Sequence, residues 1–149
     1  MKIIIRKAQK EDCSRIMQLI KNLALYERAP NEVTVSLEHF ENSGFGANPV
    51  WWGYVAEING QIEGFALYYI RYSTWKGQRM YLEDIFVEPQ MRRMGIGAKL
   101  FEKLIDECKQ MKFNGIVWQV LNWNEPALNF YKKYNAKFYD EWINCSIDF

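Results

Sequence analysis

The sequence predicts an α/β (α+β) fold, and three observations carry that reading. β-Branched and aromatic residues dominate residues 50–88, and Asn59-Gly60, the strongest short hairpin signal in the chain, divides them. Tyr81 to Val87 then lead through Pro89 into a glycine-bearing loop and a stretch whose apolar residues recur at helical spacing. Finally, 149 residues that are 49% hydrophobic are enough for one domain with a sizeable core and too few for two ordinary ones. One domain over residues 1–149 is expected.

Ile3 to Arg6 reads as a first strand. A helix is expected after Asp12, since Ile16, Leu19, Ile20 and Leu23 line one face, and it should run to about Tyr26. Pro30 breaks the pattern, and Ser36 with Glu38 and His39 opens a second short helix that should end near Gly44. Gly44-Phe45-Gly46 and Asn48-Pro49 mark loop. Strands are expected over Val50 to Ile58, about Ile62 to Tyr72, and Tyr81 to Val87, with Gly77 at the turn before the last. Residues 50–88 should thus form an antiparallel meander. Ile116 to Leu121 reads as a strand, and Asn124-Glu125-Pro126-Ala127 supplies an N-cap and a first-turn proline for a helix through Tyr131. Asn135 should end that helix in the left-handed conformation. Strands over about Lys137 to Asp140 and Trp142 to Asp148 close the expected order.

The loop Gln90-Met91-Arg92-Arg93-Met94-Gly95-Ile96-Gly97-Ala98 has the makings of an anion cradle. The first N–H groups of a helix lack internal partners, the macrodipole favours negative charge there, and glycines let a ligand approach the backbone. Arg92 and Arg93 add charge and bidentate donors. A Walker loop is excluded, because Gly97 is followed by Ala98, Lys99 and Leu100 with no hydroxyl for a metal. A dinucleotide fingerprint is excluded by Leu100, where its third glycine would stand.

Composition removes other classes. A net charge of +1 gives no basic field for nucleic acid. Cys13, Cys108 and Cys145 are odd in number and lack metal-ligand spacing, as reduced thiols of a cytoplasmic protein would, and no metal is expected. The apolar run Ile3-Ile4-Ile5 is far too short for a signal peptide or membrane span, so a soluble protein with no membrane partner is expected.

Arg92-Arg93-Met94-Gly95-Ile96-Gly97 after a strand resembles the Arg/Gln-x-x-Gly-x-Gly/Ala signature of the GCN5-related N-acetyltransferases, with Arg93 where most members have glycine. The expected element order also resembles that fold over essentially the whole chain: a mixed, mostly antiparallel sheet with one splayed parallel strand pair, flanked by about four helices. Leu23-Ala24-x-Tyr26-Glu27, Gly44-Phe45-Gly46, Tyr72-Ser73-Thr74-Trp75-Lys76-Gly77, Tyr81-Leu82-Glu83-Asp84 and Trp123-Asn124-Glu125-Pro126 with Asn129-Phe130-Tyr131 resemble the spermidine/spermine (diamine) acetyltransferase group. The run from Ser73 to Gly77 is most similar to its thialysine-acetylating branch.

The resemblance implies acetyl-CoA as cosubstrate. Its pyrophosphate would lie on Arg92, Arg93, Met94, Gly95, Ile96, Gly97 and Ala98, and its pantetheine along backbone groups of Ile85, Phe86 and Val87. Asn124, Glu125, Pro126, Ala127 and Tyr131 would complete the coenzyme side. An aliphatic ammonium has a pKa of about 10.4, so an amine acceptor arrives protonated and must lose a proton before it attacks. Glu83 corresponds to the family's water-mediated base and Tyr131 to the general acid for the leaving thiolate. Tyr26, Glu27, Trp75, Glu83 and Asp84 would bind the amine. Without the resemblance, Glu83 could be a solvent-facing strand residue and Tyr131 a helix-core aromatic.

Direct attack is expected, because no Ser or Cys stands beside a histidine and the only one, His39, reads as surface. Ser73 replaces the acid usual in polyamine-acetylating members, so a polyamine, a diamine and a lysine-like amine all remain open as acceptors. A protein or peptide N-acetyltransferase and a non-catalytic acetyl-CoA-binding module are the alternatives. The resemblance also implies a homodimer.

Overall fold

Unbroken burial along the central strand sets the architecture. In the structure, a computed structural model that describes residues 1–149, positions 63–68 are all buried, which a strand shows only when both its faces are covered. The elements are β1 (Ile3–Lys7), α1 (Cys13–Tyr26), α2 (Leu37–Phe45), β2 (Trp52–Ile58), β3 (Gln61–Ser73), β4 (Gly77–Val87), α3 (Ile96–Gln110), β5 (Ile116–Trp118) and α4 (Glu125–Lys132). Two compact units result, residues 1–119 and 120–149.

In the first unit a five-stranded sheet runs in the order β1-β2-β3-β4-β5, antiparallel except for the parallel β4-β5 pair. Val55, Phe65, Leu67 and Phe86 point to one face and join Cys13, Ile16, Leu19 and Leu23 of α1, Phe40 of α2, and Trp51 in one core cluster. Neighbouring positions Tyr54, Ala66 and Tyr68 are buried on the opposite face, where Tyr54 Oη bonds Glu107 of α3. Each fully buried large apolar side chain contributes about 1.5–3 kcal/mol, so Phe65, Leu19, Leu100 and Leu104 anchor both layers.

Local rules explain the boundaries. Asn59 and Gly60 both have positive φ, 52° and 84°, as a two-residue hairpin turn with right-handed twist requires. Ser36 caps α2 by accepting from His39 N at 3.1 Å. No helix is long and apolar enough to cross a membrane.

Three expectations are corrected. Gly44 and Phe45 lie in the last turn of α2, not in a loop, because a Cβ on Gly44 would come within 2.3 Å of the Trp51 ring: the glycine serves packing. β5 ends at Trp118, short of Leu121. In the second unit, residues 137–140 and 142–148 form no strand. Trp142, Ile143 and Ile147 stay exposed there, since apolar alternation alone makes no strand without a ladder to join. The second unit is otherwise α4 and its caps. Asn124 Oδ1 accepts from Ala127 N at 3.3 Å, and Asn135, at φ 57°, ends the turns that follow the helix, as the sequence indicates.

Candidate active site

The site begins with an extra residue in β4. Tyr81 pairs with Tyr69 and Leu82 with Tyr68, but Leu67 pairs with Asp84, leaving Glu83 without a partner. This is a β-bulge, and it changes which side chains share a face. Tyr69 and Leu67 are two apart and face the α1 side of the sheet; their partners Tyr81 and Asp84 are three apart, which a regular strand could not place on one face. Glu83, two residues after Tyr81, faces the same way. Two adjacent carboxylates therefore share one wall, which simple alternation would forbid.

Glu27, at the C-cap of α1, makes the third member. Burial, then Glu83, then Glu27 push the half-buried Asp84 carboxyl up to about 7. Burial, and after it Glu83, also raise the Glu27 carboxyl. Tyr69 and Tyr81 stack at 4.9 Å beside this cluster; burial raises both phenols, and Glu83 adds to the effect in each. No ion pair engages Glu27, Glu83 or Asp84. Such a group of unanswered carboxylates over an aromatic floor attracts an ammonium and can accept its proton.

The adjoining edge of β4 is open. The parallel ladder spans only Met80↔Ile116, Tyr81↔Val117 and Leu82↔Trp118, so Glu83 to Val87 have no β5 partner. Glu88 N–H donates to Glu63 O at 2.9 Å, and antiparallel alternation from that pair turns the polar groups of Ile85 and Val87 toward the open edge. By the same alternation Phe86 turns its backbone to β3, so of the three expected pantetheine residues it does not present its polar groups to the slot.

The loop follows directly. Gly95 caps α3 at φ 76°, and a Cβ there would touch nothing within 4 Å, so the glycine is required by conformation and not by packing. Arg93 takes φ 66°, the left-handed region that favours glycine. Lys99 N–H bonds Gly95 O at 3.0 Å, leaving the N–H groups of Ile96, Gly97 and Ala98 ahead of it as orphans of the helix start. An open strand edge running into this cradle fits an extended group that ends in a pyrophosphate.

Arg92 is tied to the protein as well as to the loop. Its Nε donates to Val87 O at 3.0 Å, and its guanidinium lies 5.0 Å from the Tyr26 ring and 5.4 Å from Phe86. Tyr26 is thereby joined to the loop. Asn22 Nδ2 donates to Glu88 Oε1 at 3.0 Å, and Arg15 lies 3.7 Å from Glu88 and 3.8 Å from Glu63, fixing α1 against the end of β4. The ties of Arg92 to Tyr26, of Asn22 to Glu88 and of Arg15 to Glu63 and Glu88 were not visible in the sequence, because they join positions tens of residues apart.

Trp75 is 83% exposed at the β3-β4 turn, apart from any ring stack. Ser73 Oγ accepts from Trp75 N and Lys76 N at 3.2 and 3.1 Å, so this serine builds the turn. In the second unit, Tyr131 lies on α4 next to Phe130, their rings 5.4 Å apart, behind the Asn124 cap and Pro126.

The sequence pattern of the acetyltransferase (GNAT) family matches residues 27–136. A thialysine N-epsilon-acetyltransferase from Bos taurus is 38% identical over 91% of this chain and 84% of its own length. Its Mus musculus counterpart is 39% identical, with 89% and 83% covered. Spermidine/spermine N(1)-acetyltransferase-like protein 1 from Homo sapiens is 33% identical over 89% of this chain but only 20% of its own. In fold, the chain superposes on an aminoglycoside acetyltransferase from an uncultured soil metagenomic sample with a TM-score of 0.80, at 18% identity, covering 99% of this chain and 96% of that one. The chain belongs to the acetyltransferase (GNAT) family and is an acetyl-CoA-dependent N-acetyltransferase.

Proposed function

We propose that this enzyme acetylates a primary amine of a small polyamine, diamine or lysine-like acceptor by direct attack. The observation that carries the reading is the group of Glu27, Glu83 and Asp84, brought to one face by the β4 bulge and answered by no basic side chain. Acetyl-CoA would supply the thioester carbonyl, and coenzyme A would leave as the thiolate. Glu83, the exposed member, takes the ammonium proton through water, while Glu27 and Asp84 hold the charge that draws the amine in. Tyr131 donates its phenolic proton to the departing sulfur. Arg92, Arg93 and the N–H groups of Ile96 to Ala98 hold the pyrophosphate, and the open edge at Ile85 and Val87 takes the pantetheine. Both compact units act as one domain in this reading, within a cytoplasmic homodimer. Sequence similarity to the thialysine enzymes supports the lysine-like end of the range.

The test is thiol release from acetyl-CoA with spermidine, putrescine, lysine, thialysine and a peptide. Small amines should turn over, with Glu83→Gln and Tyr131→Phe each slower by about 10²-fold or more, as loss of a positioned acid or base gives. Turnover of the peptide alone would make this a protein acetyltransferase. Coenzyme binding without thiol release from any acceptor would leave only a binding module.

A further inference from the structure

The wall that carries the carboxylates does not end with them. One step back along β4, Tyr81 lies opposite Tyr69, and one step further Arg79 lies opposite Arg71. Side chains two apart on a strand share a face, so acid, aromatic and basic groups succeed one another on the α1 side of the sheet. Arg71 leans over this row: its guanidinium carbon is 5.7 Å from the centre of the Tyr81 ring. It is exposed, and no carboxylate pairs with it. Arg79 likewise has no acidic partner; its Nε is buried without a hydrogen bond, and its Nη2 fills the space that a Cβ on Gly115 would take, 2.3 Å away. Like charges directly opposite each other in a ladder are unfavourable unless an anion answers them.

We propose that Arg71 anchors the carboxylate of the acceptor, which is then an amino acid bearing a side-chain amine and not a simple diamine or polyamine. This rests on the amine-acetylating reading above and narrows it. The lengths agree. Tyr81 to Glu83 is two strand residues, roughly 7 Å. The side-chain nitrogen of lysine, or of an analogue with sulfur in the chain, stands roughly 7 Å from its carboxylate when extended. The amine then meets Glu83, Asp84 and Glu27, the apolar chain lies on the Tyr69 and Tyr81 rings, and the carboxylate accepts the guanidinium donors.

The experiment compares acceptors that differ only in the carboxylate: lysine against 1,5-diaminopentane, and ornithine against putrescine. Wild type should favour each amino acid in kcat/KM by tenfold or more. Arg71→Gln should lose at least tenfold on lysine and ornithine, chiefly through KM, while the two diamines change by less than threefold. Arg71→Lys should restore part of the loss. Equal turnover of lysine and 1,5-diaminopentane by wild type, or an equal fall for both in Arg71→Gln, would overturn the anchor and leave amine acetylation standing. No thiol release with any of the four would overturn the amine reading itself, and the anchor with it.

Discussion

Asp84→Asn isolates the electrostatics of the site, because it removes one charge and keeps the shape. The Asp84 carboxyl is raised from 3.8 to about 7, first by burial and then by Glu83 and Glu27. A folded-state value above the unfolded one means that the native protein binds the extra proton, so the ionised carboxylate destabilises the fold. That cost is absent below about pH 4, grows as pH rises toward 7 and is constant above it. About three units correspond to ~4 kcal/mol at most, and partial solvent access reduces this to about 2 kcal/mol. Urea unfolding at several values between pH 5 and 8.5 reads it. Asp84→Asn should be more stable than wild type by about 2 kcal/mol at pH 8.5, and the advantage should shrink steadily toward pH 5. A difference that does not change with pH, or a variant less stable at pH 8.5, would refute the argument. Amine binding should also expel a proton near pH 6.5 in wild type, and fewer in the variant, as calorimetry in buffers of different ionisation enthalpy would show.

Arg92→Met keeps an apolar stem but loses the bond to Val87 O and the planar contact with Tyr26; coenzyme Kd should rise about tenfold, and the amine KM should rise with it. An unchanged amine KM, measured at saturating coenzyme, would cut the link from the loop to Tyr26. Gly95→Ala and Arg93→Gly should behave differently although both alter left-handed residues. The first adds a strained Cβ at φ 76°, costing about 1 kcal/mol or a Tm fall of roughly 2–4 °C, with weaker coenzyme binding. The second relieves strain at φ 66° while loosening the unfolded chain, so its Tm should stay within about 2 °C of wild type.

Helix α1 was legible nearly to the residue, because apolar spacing is a local signal. So were the Ser36 and Asn124 caps and the Asn59-Gly60 turn, each a matter of one side chain and its neighbours. The bulge at Glu83 was not. Whether a strand carries an extra residue depends on the length of its partner between fixed pairs, here Leu67 and Tyr68, and no composition in β4 reveals that. Simple alternation therefore gives no means of placing Glu83 and Asp84 on one wall. Ser73 read only as a missing acid, since its part in the turn lies in two hydrogen bonds. The tail failed for the opposite reason: Trp142, Ile143 and Ile147 carry strong β-propensity, but propensity does not supply a neighbouring strand.

The early end of the β4-β5 ladder has a further consequence, for handling the protein. A sheet whose last ladder stops short offers unpaired amide and carbonyl groups on its penultimate strand much as an outer strand does, and such a row is a template for foreign strands at high concentration. Arg92 blocks one of those groups at Val87, which works as a gatekeeper against self-association. On the proposed coenzyme placement acetyl-CoA shields that row, so keeping it present through purification should matter as much for colloidal behaviour as for activity.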